Sequence, residues 1–302
     1  MKKEWLIKTL VIGIILLFII MSVVPSTAFN NPKKSFVSVS DGVILYVGGS
    51  GSGNYSRIQD AIDDASDGDT VFVYDDMSPY NENLMITKSI VLLGENKLTT
   101  IIHGDAYYYY QIIYAIGQNI VISDFTIQNG AIGILCELNN SQISNLIIDN
   151  TICAVYLWKS SQNTISNIRV ISCYEYCIYL YNHSSNNKII NNSLANSAKN
   201  GVTLMGSCDK NLIEKNSIEE NGIGLVLVWS FFNLIKKNNF INNSIQAYFD
   251  NSSYNLFFRN YWDDWSSFKP RPLEGLRYWP FLKKTTPWKI FDWHPAKEPY
   301  NI

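Results

Sequence analysis

The chain has 302 residues, 47% of them hydrophobic and only 17% charged, which excludes extended disorder over most of its length. Its formal net charge is −2, and setting aside Lys2, Lys3, Lys8 and Glu4 (net +2) leaves −4, a poor balance for non-specific nucleic-acid binding. Asparagine is the unusual quantity: 33 residues, 26 of them between Asn119 and Asn260, although Asn is poorly suited to ordinary strands and helices.

Residues 1–28 read as a secretory signal. Lys2, Lys3 and Lys8 supply the charged start, Leu10 to Val24 is nearly unbroken apolar sequence, and Ser26-Thr27-Ala28 offers small residues for cleavage. Fifteen apolar residues are fewer than the about 20 that span a bilayer, and the alternative is an uncleaved anchor beginning at Trp5. Either way the rest of the chain is expected outside the cytoplasm, where sequons at Asn54, Asn139, Asn182, Asn191, Asn242 and Asn251 become accessible.

Residues 29–54 read as a linker and first strand. Ser56 is placed to cap a short helix with the apolar face Ile58, Ala61, Ile62 and Ala65, ended by Asp67-Gly68-Asp69. Strands are expected from Val71, at Ile90–Leu93, Ile101–Ile102 and Ile112–Ile116, with Tyr107–Tyr110 in an irregular excursion.

A repeat then takes over. A first apolar anchor recurs at Ile122, Ile143, Ile165, Ile189, Ile213, Ile235 and Phe257, in steps of 21–24 residues. A second keeps phase five residues later (Ile127, Ile148, Val170, Leu194, Ile218, Phe240, Trp262), and a third falls at Cys136, Leu157, Leu180, Leu204, Leu227 and Phe249. Three short apolar stretches per period, without any run of 10–12 residues at helical spacing, describe one turn of a three-sided coil. The expected fold is all-β: a single-stranded right-handed parallel β-helix of about nine coils over residues 55–262. It has a capping helix at its N-terminal end.

The asparagines fit that coil. Asn145, Asn167 and Asn191 follow Asp124 in one column, continued after a one-residue shift by Asn192, Asn216, Asn238 and Asn260. Asn tolerates the left-handed bend at a corner, and stacked amides can hydrogen-bond from coil to coil. Residues 263–302 are expected to lie over the last coil rather than extend it, because the last 41 residues hold five of eight tryptophans and six prolines. Cys136, Cys153, Cys173, Cys177 and Cys208 are an odd set. They read as small interior fillers, with one bridge from Cys153 to Cys173 or Cys177 left open.

The segments Tyr55-Ser56-Arg57-Ile58-Gln59-Asp60-Ala61-Ile62, Asp67-Gly68-Asp69-Thr70-Val71, Tyr80-Asn81-Glu82-Asn83 and Ile90-Val91-Leu92-Leu93-Gly94 resemble the first coils of pectin-lyase-like β-helix proteins. The Asn-x-Ile-x-x-Asn-x-Ile coils are similar to the NosD-type branch, the carbohydrate-binding and sugar-hydrolase β-helix domain. Asn260-Tyr261-Trp262-Asp263-Asp264-Trp265 with Asp292-Trp293-His294-Pro295 resembles the closing segment of secreted archaeal β-helix repeat proteins. The resemblance implies fold more than activity, because such repeats record coil geometry.

Enzymes of this superfamily work in a groove along one face, and their signatures are missing here: no Asn-Thr-Asp or Gly-His-Gly motif, and no acidic trio in one column. Glycoside hydrolysis needs two carboxyl groups about 5–9.5 Å apart. Asp263 and Asp264, flanked by Trp262 and Trp265, are the catalytic candidates worth keeping; as strand neighbours they cannot both face one groove. Lys215, Lys237 and Arg259 form a basic column suited to an acidic glycan. Trp158, Tyr181 and Trp229 are candidate sugar-stacking residues, with Trp229 one residue out of phase.

Some NosD-type proteins are linked to maturation of a copper enzyme, but His103, His183 and His294 are far apart and no Met-x-x-Met run exists. No metal site and no cofactor is expected. The leading expectation is an exported, non-catalytic protein that binds a polysaccharide or contacts the cell envelope. The alternatives are a lyase or hydrolase with a divergent groove, and a structural surface module or copper-enzyme maturation factor.

Overall fold

The computed structural model describes residues 42–104, 111–267 and 269–302. The leader at 1–28, residues 29–41 of the 29–54 segment and the Tyr107–Tyr110 excursion lie outside the described residues. The described chain winds as a right-handed parallel β-helix with three flat faces, the hand that parallel crossovers adopt. All three anchor columns stack in register. Ile122, Ile143, Ile165, Ile189, Ile213, Ile235 and Phe257 pair successively on the first face. Ile127 to Trp262 do so on the second, and Cys136 to Phe249 on the third.

The first face holds ten stacked strands before the tail, one more than expected, because Ile44–Val47 already pairs in parallel with Thr70–Val73. Alternation within each strand sends the anchors inward, where nearly all are fully buried. Each such Ile or Leu contributes about 1.5–3 kcal/mol by leaving water, and the column of them is continuous from Val47 to Trp262.

Helix α1 (Ile58–Asp64) buries Ile58, Ala61 and Ile62 against the first coils. Ser56 does not cap it. The carboxylate of Glu82 accepts from the backbone N–H groups of Ile58 (2.8 Å) and Gln59 (3.1 Å), satisfying two donors that a helix start leaves unpaired. Tyr80 donates its hydroxyl to the Tyr74 carbonyl at 2.7 Å. The Tyr80-Asn81-Glu82 segment is therefore a structural clasp for the capping helix.

What sequence presents as one asparagine column is two. Asp124, Asn145, Asn167 and Asn191 occupy a left-handed corner between the first and second faces, with φ of 68°, 55°, 55° and 56°. The same corner continues as Lys215, Lys237 and Arg259, with φ of 54–56°. Asn192, Asn216, Asn238 and Asn260 follow it by one residue and point inward, each fully buried. They replace Phe125, Leu146 and Ile168 of earlier coils, which are apolar and buried. Each amide works twice: Asn216 Oδ1 accepts from Asn192 N (3.0 Å) and Nδ2 (2.9 Å), while Asn216 Nδ2 donates to Asn238 Oδ1 (2.9 Å). Parallel ladders run through Ser141, Asn163, Asn187, Asn211, Asn233 and Asn255, and through Ser197, Asn221 and Asn243.

The tail does extend the ladder. Arg271–Trp279 and Lys284–Asp292 form an antiparallel hairpin whose base pairs in parallel with the last coil at Phe249 and Gly275. A Cβ on Gly275 would fall 2.1 Å from the Phe249 carbonyl oxygen, so glycine is required for that approach. Asp292 pairs with Phe257, and Ala296 with Tyr261, so all three faces are partly covered. Pro272 and Pro287 are tolerated because an exposed two-stranded ribbon does not use every N–H. The five cysteines are buried free thiols, and Cys173 Sγ lies 3.5 Å from Cys177 Sγ as a hydrogen-bonded pair.

Candidate functional site

The third face carries the densest exposed chemistry. Val155, Leu157, Ile178 and Leu180 point inward, which forces Tyr156, Trp158, Tyr179 and Tyr181 outward on two paired strands, Ile147–Trp158 and Cys173–Tyr181. Tyr156 is opposite Tyr179, and Trp158 opposite Tyr181. Tyr179 stacks on Tyr156 (centroids 4.9 Å, 19°) and on Tyr176 (4.7 Å, 24°), and meets Tyr181 at 5.7 Å. The rings thus cover one another and present edges and hydroxyls. Lys159 Nζ sits 5.1 Å from the Trp158 ring centre. Two coils before Tyr156, Tyr114 donates its hydroxyl to Glu137 Oε1 of the intervening coil at 2.5 Å.

These phenols stay protonated well above neutral pH. The hydrogen bond to Glu137, with burial and the same carboxylate's charge, pushes Tyr114 up to about 12. Burial, then neighbouring thiols and phenols, pushes Tyr156 up to about 12. Tyr179 and Tyr176 are raised as well, chiefly by burial. The strip therefore offers neutral hydroxyl groups and ring edges, not phenolates.

At its start the strip opens into a cleft of about 740 Å³ where the second face turns into the third. His103, Asn129, Asn150, Thr151, Tyr174 and Glu175 line it. His103 Nε2 lies 2.6 Å from Asn129 Nδ2, and Asn150 Nδ2 donates to Asn129 Oδ1 at 2.6 Å. Glu175 is ion-paired with Lys199, while Thr151 Oγ1 is buried without a partner among the described residues. Tyr174 and Glu175 reach the cleft because the strand is bulged there: Thr151 pairs with Cys173 but Cys153 with Tyr176. The changes in coil length between Ile148, Val170 and Leu194 were the available sequence signal. The side chains that line the cleft come from four coils and share no motif.

The sequence candidates are not one site. Trp158 and Tyr181 belong to the strip. Trp229, with φ 48°, occupies the corner between the third and first faces instead. Lys215, Lys237 and Arg259 line the opposite corner; beside them Lys236 pairs with Glu214 at 3.3 Å, and Arg259 lies 5.2 Å from the Phe258 ring. Asp263 accepts from Asn242 N (2.6 Å) and from Gln246, which itself accepts from Asn243, so it closes an asparagine ladder. Asp264 forms a two-point ion pair with Arg271. Trp262 is buried face to face with Phe240 (4.3 Å, 8°), out of reach of a sugar. The two adjacent carboxylates are thus capping groups in this fold.

Three stacked β-faces with an outward aromatic strip define a pectin-lyase-like parallel β-helix. The profile of the family described as periplasmic copper-binding protein (NosD) matches residues 62–270, more than half of the chain. The chain belongs to the NosD family. Curated protein sequences gave no match. Among solved structures it is similar to the Agl-KA catalytic domain, at 15% identity over 67% of this chain and 43% of that one, TM-score 0.56. It is also similar to full-length tailspike protein 2 of Escherichia coli O157:H7 bacteriophage CAB120 (16%, 78% and 34%, TM-score 0.51). The mannuronan C-5 epimerase AlgE6 A-module of Azotobacter vinelandii aligns at 15% identity over 67% and 71%, TM-score 0.49. At 15–16% identity, the likeness to the Agl-KA domain and to tailspike protein 2 shows a shared fold alone.

The family's description raises copper, and the donors present do not fit it. No group of three His, Cys, Asp or Glu residues is gathered among the described residues. His103 is held by Asn129, and His294 packs edge-on against Phe258 at 5.6 Å. Cys173 and Cys177 are buried and hydrogen-bonded to each other, with no His, Asp or Glu gathered beside them to complete a metal site among the described residues.

Proposed function

We propose that this protein is an exported, non-catalytic β-helix that binds a polysaccharide across its third face, outside the cytoplasm and at the cell envelope. The observation that carries this reading is the strip of Tyr176, Tyr179, Tyr156 and Tyr181, a run of ring edges and hydroxyls along one strand pair that begins one residue after Glu175 of the cleft. Sugar hydroxyls bond to such groups, and sugar C–H faces pack on the exposed rings.

A pair of carboxylates for hydrolysis is not assembled along the outward column of the strip. Glu137 and Asp250 lie in that column five coils apart, about 24 Å at 4.8 Å per strand. A second reading, a lyase or hydrolase centred on the cleft, is favoured by His103 and Glu175 beside the unpaired Thr151 hydroxyl.

The test is a screen of residues 29–302 against neutral and acidic polysaccharides, following tryptophan fluorescence and the appearance of reducing ends or unsaturated products. Saturable binding without product, weakened by Tyr181→Ala, is the expected result. Product formation abolished by His103→Ala would replace this reading with the catalytic one.

A further inference from the structure

The hairpin that closes the solenoid does more than cap it. Only its base is needed for capping: Arg271, Leu273 and Asp292 are buried there, and Gly275 and Leu276 pair with Phe249 and Asp250. At Asn251 every earlier coil turns the corner, whereas the hairpin runs straight on. Asn251 N donates to the Leu276 carbonyl at 2.9 Å, and the Asn251 side-chain carbonyl accepts from Tyr278 N. Beyond that point Tyr278–Thr285 projects from the solenoid, turning through Pro280–Lys283.

The tip has the wrong chemistry for plain solvent exposure. Phe281 is fully exposed and Leu282 is 69% exposed, side by side at the turn. Lys283 and Lys284 follow directly. Behind them Arg277 lies between Trp279 (4.3 Å) and Trp288 (4.8 Å), and Trp279 Nε1 is held by Thr286 Oγ1 at 2.9 Å. Between Gly275 and Phe291 there are four basic residues, Arg277, Lys283, Lys284 and Lys289, and no acidic one. Lys289 is paired with Glu274 at the base. The two preceding turns of the same corner present Trp229, Phe232 and Tyr254, the last two stacked at 5.3 Å. The nearby acids are occupied: Asp209 accepts from Phe231 N, and Asp250 from Asn251 Nδ2.

We infer that this hairpin tip docks the protein on an anionic phospholipid surface, with Phe281 and Leu282 entering the acyl boundary and Lys283, Lys284 and Arg277 meeting headgroup phosphates. An apolar tip backed by tryptophans and flanked by cations matches the polarity gradient of a lipid interface. A glycan surface explains it less well, because Leu282 offers no ring face and no hydrogen bond, and Phe281 stands at a projecting turn rather than in a groove. No helix of the described residues is long and apolar enough to cross a membrane.

The test is co-sedimentation of residues 29–302 with vesicles of phosphatidylcholine alone or with about one-third phosphatidylglycerol, a loading that gives a strong negative surface potential. All coil contacts described above lie within 42–302, a compact unit in itself, so this chain retains the fold. Expected are binding to the anionic vesicles only, an at least ten-fold loss in the Phe281→Ser/Leu282→Ser double variant with an unchanged melting temperature, and loss of the anionic preference in Lys283→Glu/Lys284→Glu. Phe281→Cys carrying an environment-sensitive dye should show a blue shift on the same vesicles, the native thiols being buried. Equal binding by the parent and the double variant, no binding at all, or loss of acidic-polysaccharide binding in the double variant with no vesicle binding by the parent would each overturn the inference.

Discussion

Asn260 donates its side-chain amide to Asp292 Oδ2 at 3.0 Å, and that contact terminates the buried ladder that begins at Asn192. An asparagine at the last position would offer two further donors with no coil beyond to receive them. A carboxylate only accepts. Asp292, fully buried, takes five N–H bonds: from Arg259, Asn260 and His294 backbones, the Asn260 amide and Trp262 Nε1. Asp263 ends a second ladder in the same manner through Gln246.

Asp292→Ala should therefore destabilise the fold by more than one hydrogen bond's worth, about 2–4 kcal/mol, since it orphans buried donors of the last coil. Asp292→Asn should fall between it and the parent, because one oxygen remains. Urea unfolding followed by tryptophan fluorescence measures both. A loss below about 0.5 kcal/mol for the alanine variant would show that water substitutes for the carboxylate.

The two asparagine columns predict opposite outcomes at adjacent residues. Asn216→Ala removes an amide that satisfies Asn192 and Ile189 and should cost about 1–3 kcal/mol for each group left unpaired. Lys215→Gly, one residue earlier at φ 54°, relieves a left-handed side chain and should leave stability within about 1 kcal/mol of the parent, or raise it. Equal losses at the two positions would mean that corner and interior are not energetically distinct.

This division explains how far the sequence was legible. Ile143, Ile148 and Leu157 declare three faces because stacked coils hold one register, and a slip would turn an anchor toward water. Asn191 and Asn192 look alike in sequence although one relieves a bend and the other bonds the interior; only the doublets Lys215-Asn216, Lys237-Asn238 and Arg259-Asn260 hint at two columns. The cleft was hidden because His103, Asn129, Asn150 and Glu175 are brought together by coil stacking and by the bulge after Thr151, not by spacing. Asp263 and Asp264 read as catalytic candidates since sequence alone does not reveal that one closes an asparagine ladder and the other pairs with Arg271 of the hairpin. Pro272 and Pro287 concealed that hairpin.

The tyrosine strip predicts an alkaline limit. Tyr156 is raised from an ordinary value of 10 to about 12 by burial, and Tyr114 to about 12 by its bond to Glu137. A raised folded value means the native state holds the proton more tightly than the unfolded chain does. The associated stability is complete below pH 10 and is lost as pH rises from 10 through 12. Absorbance at 295 nm should show a late-titrating class of phenols, and unfolding midpoints should fall over that interval. Tyr156→Phe should flatten the fall. A single titration near pH 10 with a flat stability profile would contradict the packing of the strip.

The separation of the aromatic strip from the basic corner gives the sharpest prediction on binding. Trp158 and Tyr181 face outward on the third face, while Lys215, Lys237 and Arg259 stand at the corner between the first and second. A polysaccharide lying across the third face does not reach that corner. Tyr181→Ala should weaken binding by about ten-fold, near the upper end of what one aromatic contact contributes (0.5–1.5 kcal/mol). The triple replacement of Lys215, Lys237 and Arg259 by Asn should change it less than two-fold at physiological salt, because exposed charges beyond about 8 Å are screened. The opposite ranking, with steep salt dependence, would move the ligand to the corner and identify an acidic glycan that tracks the solenoid axis.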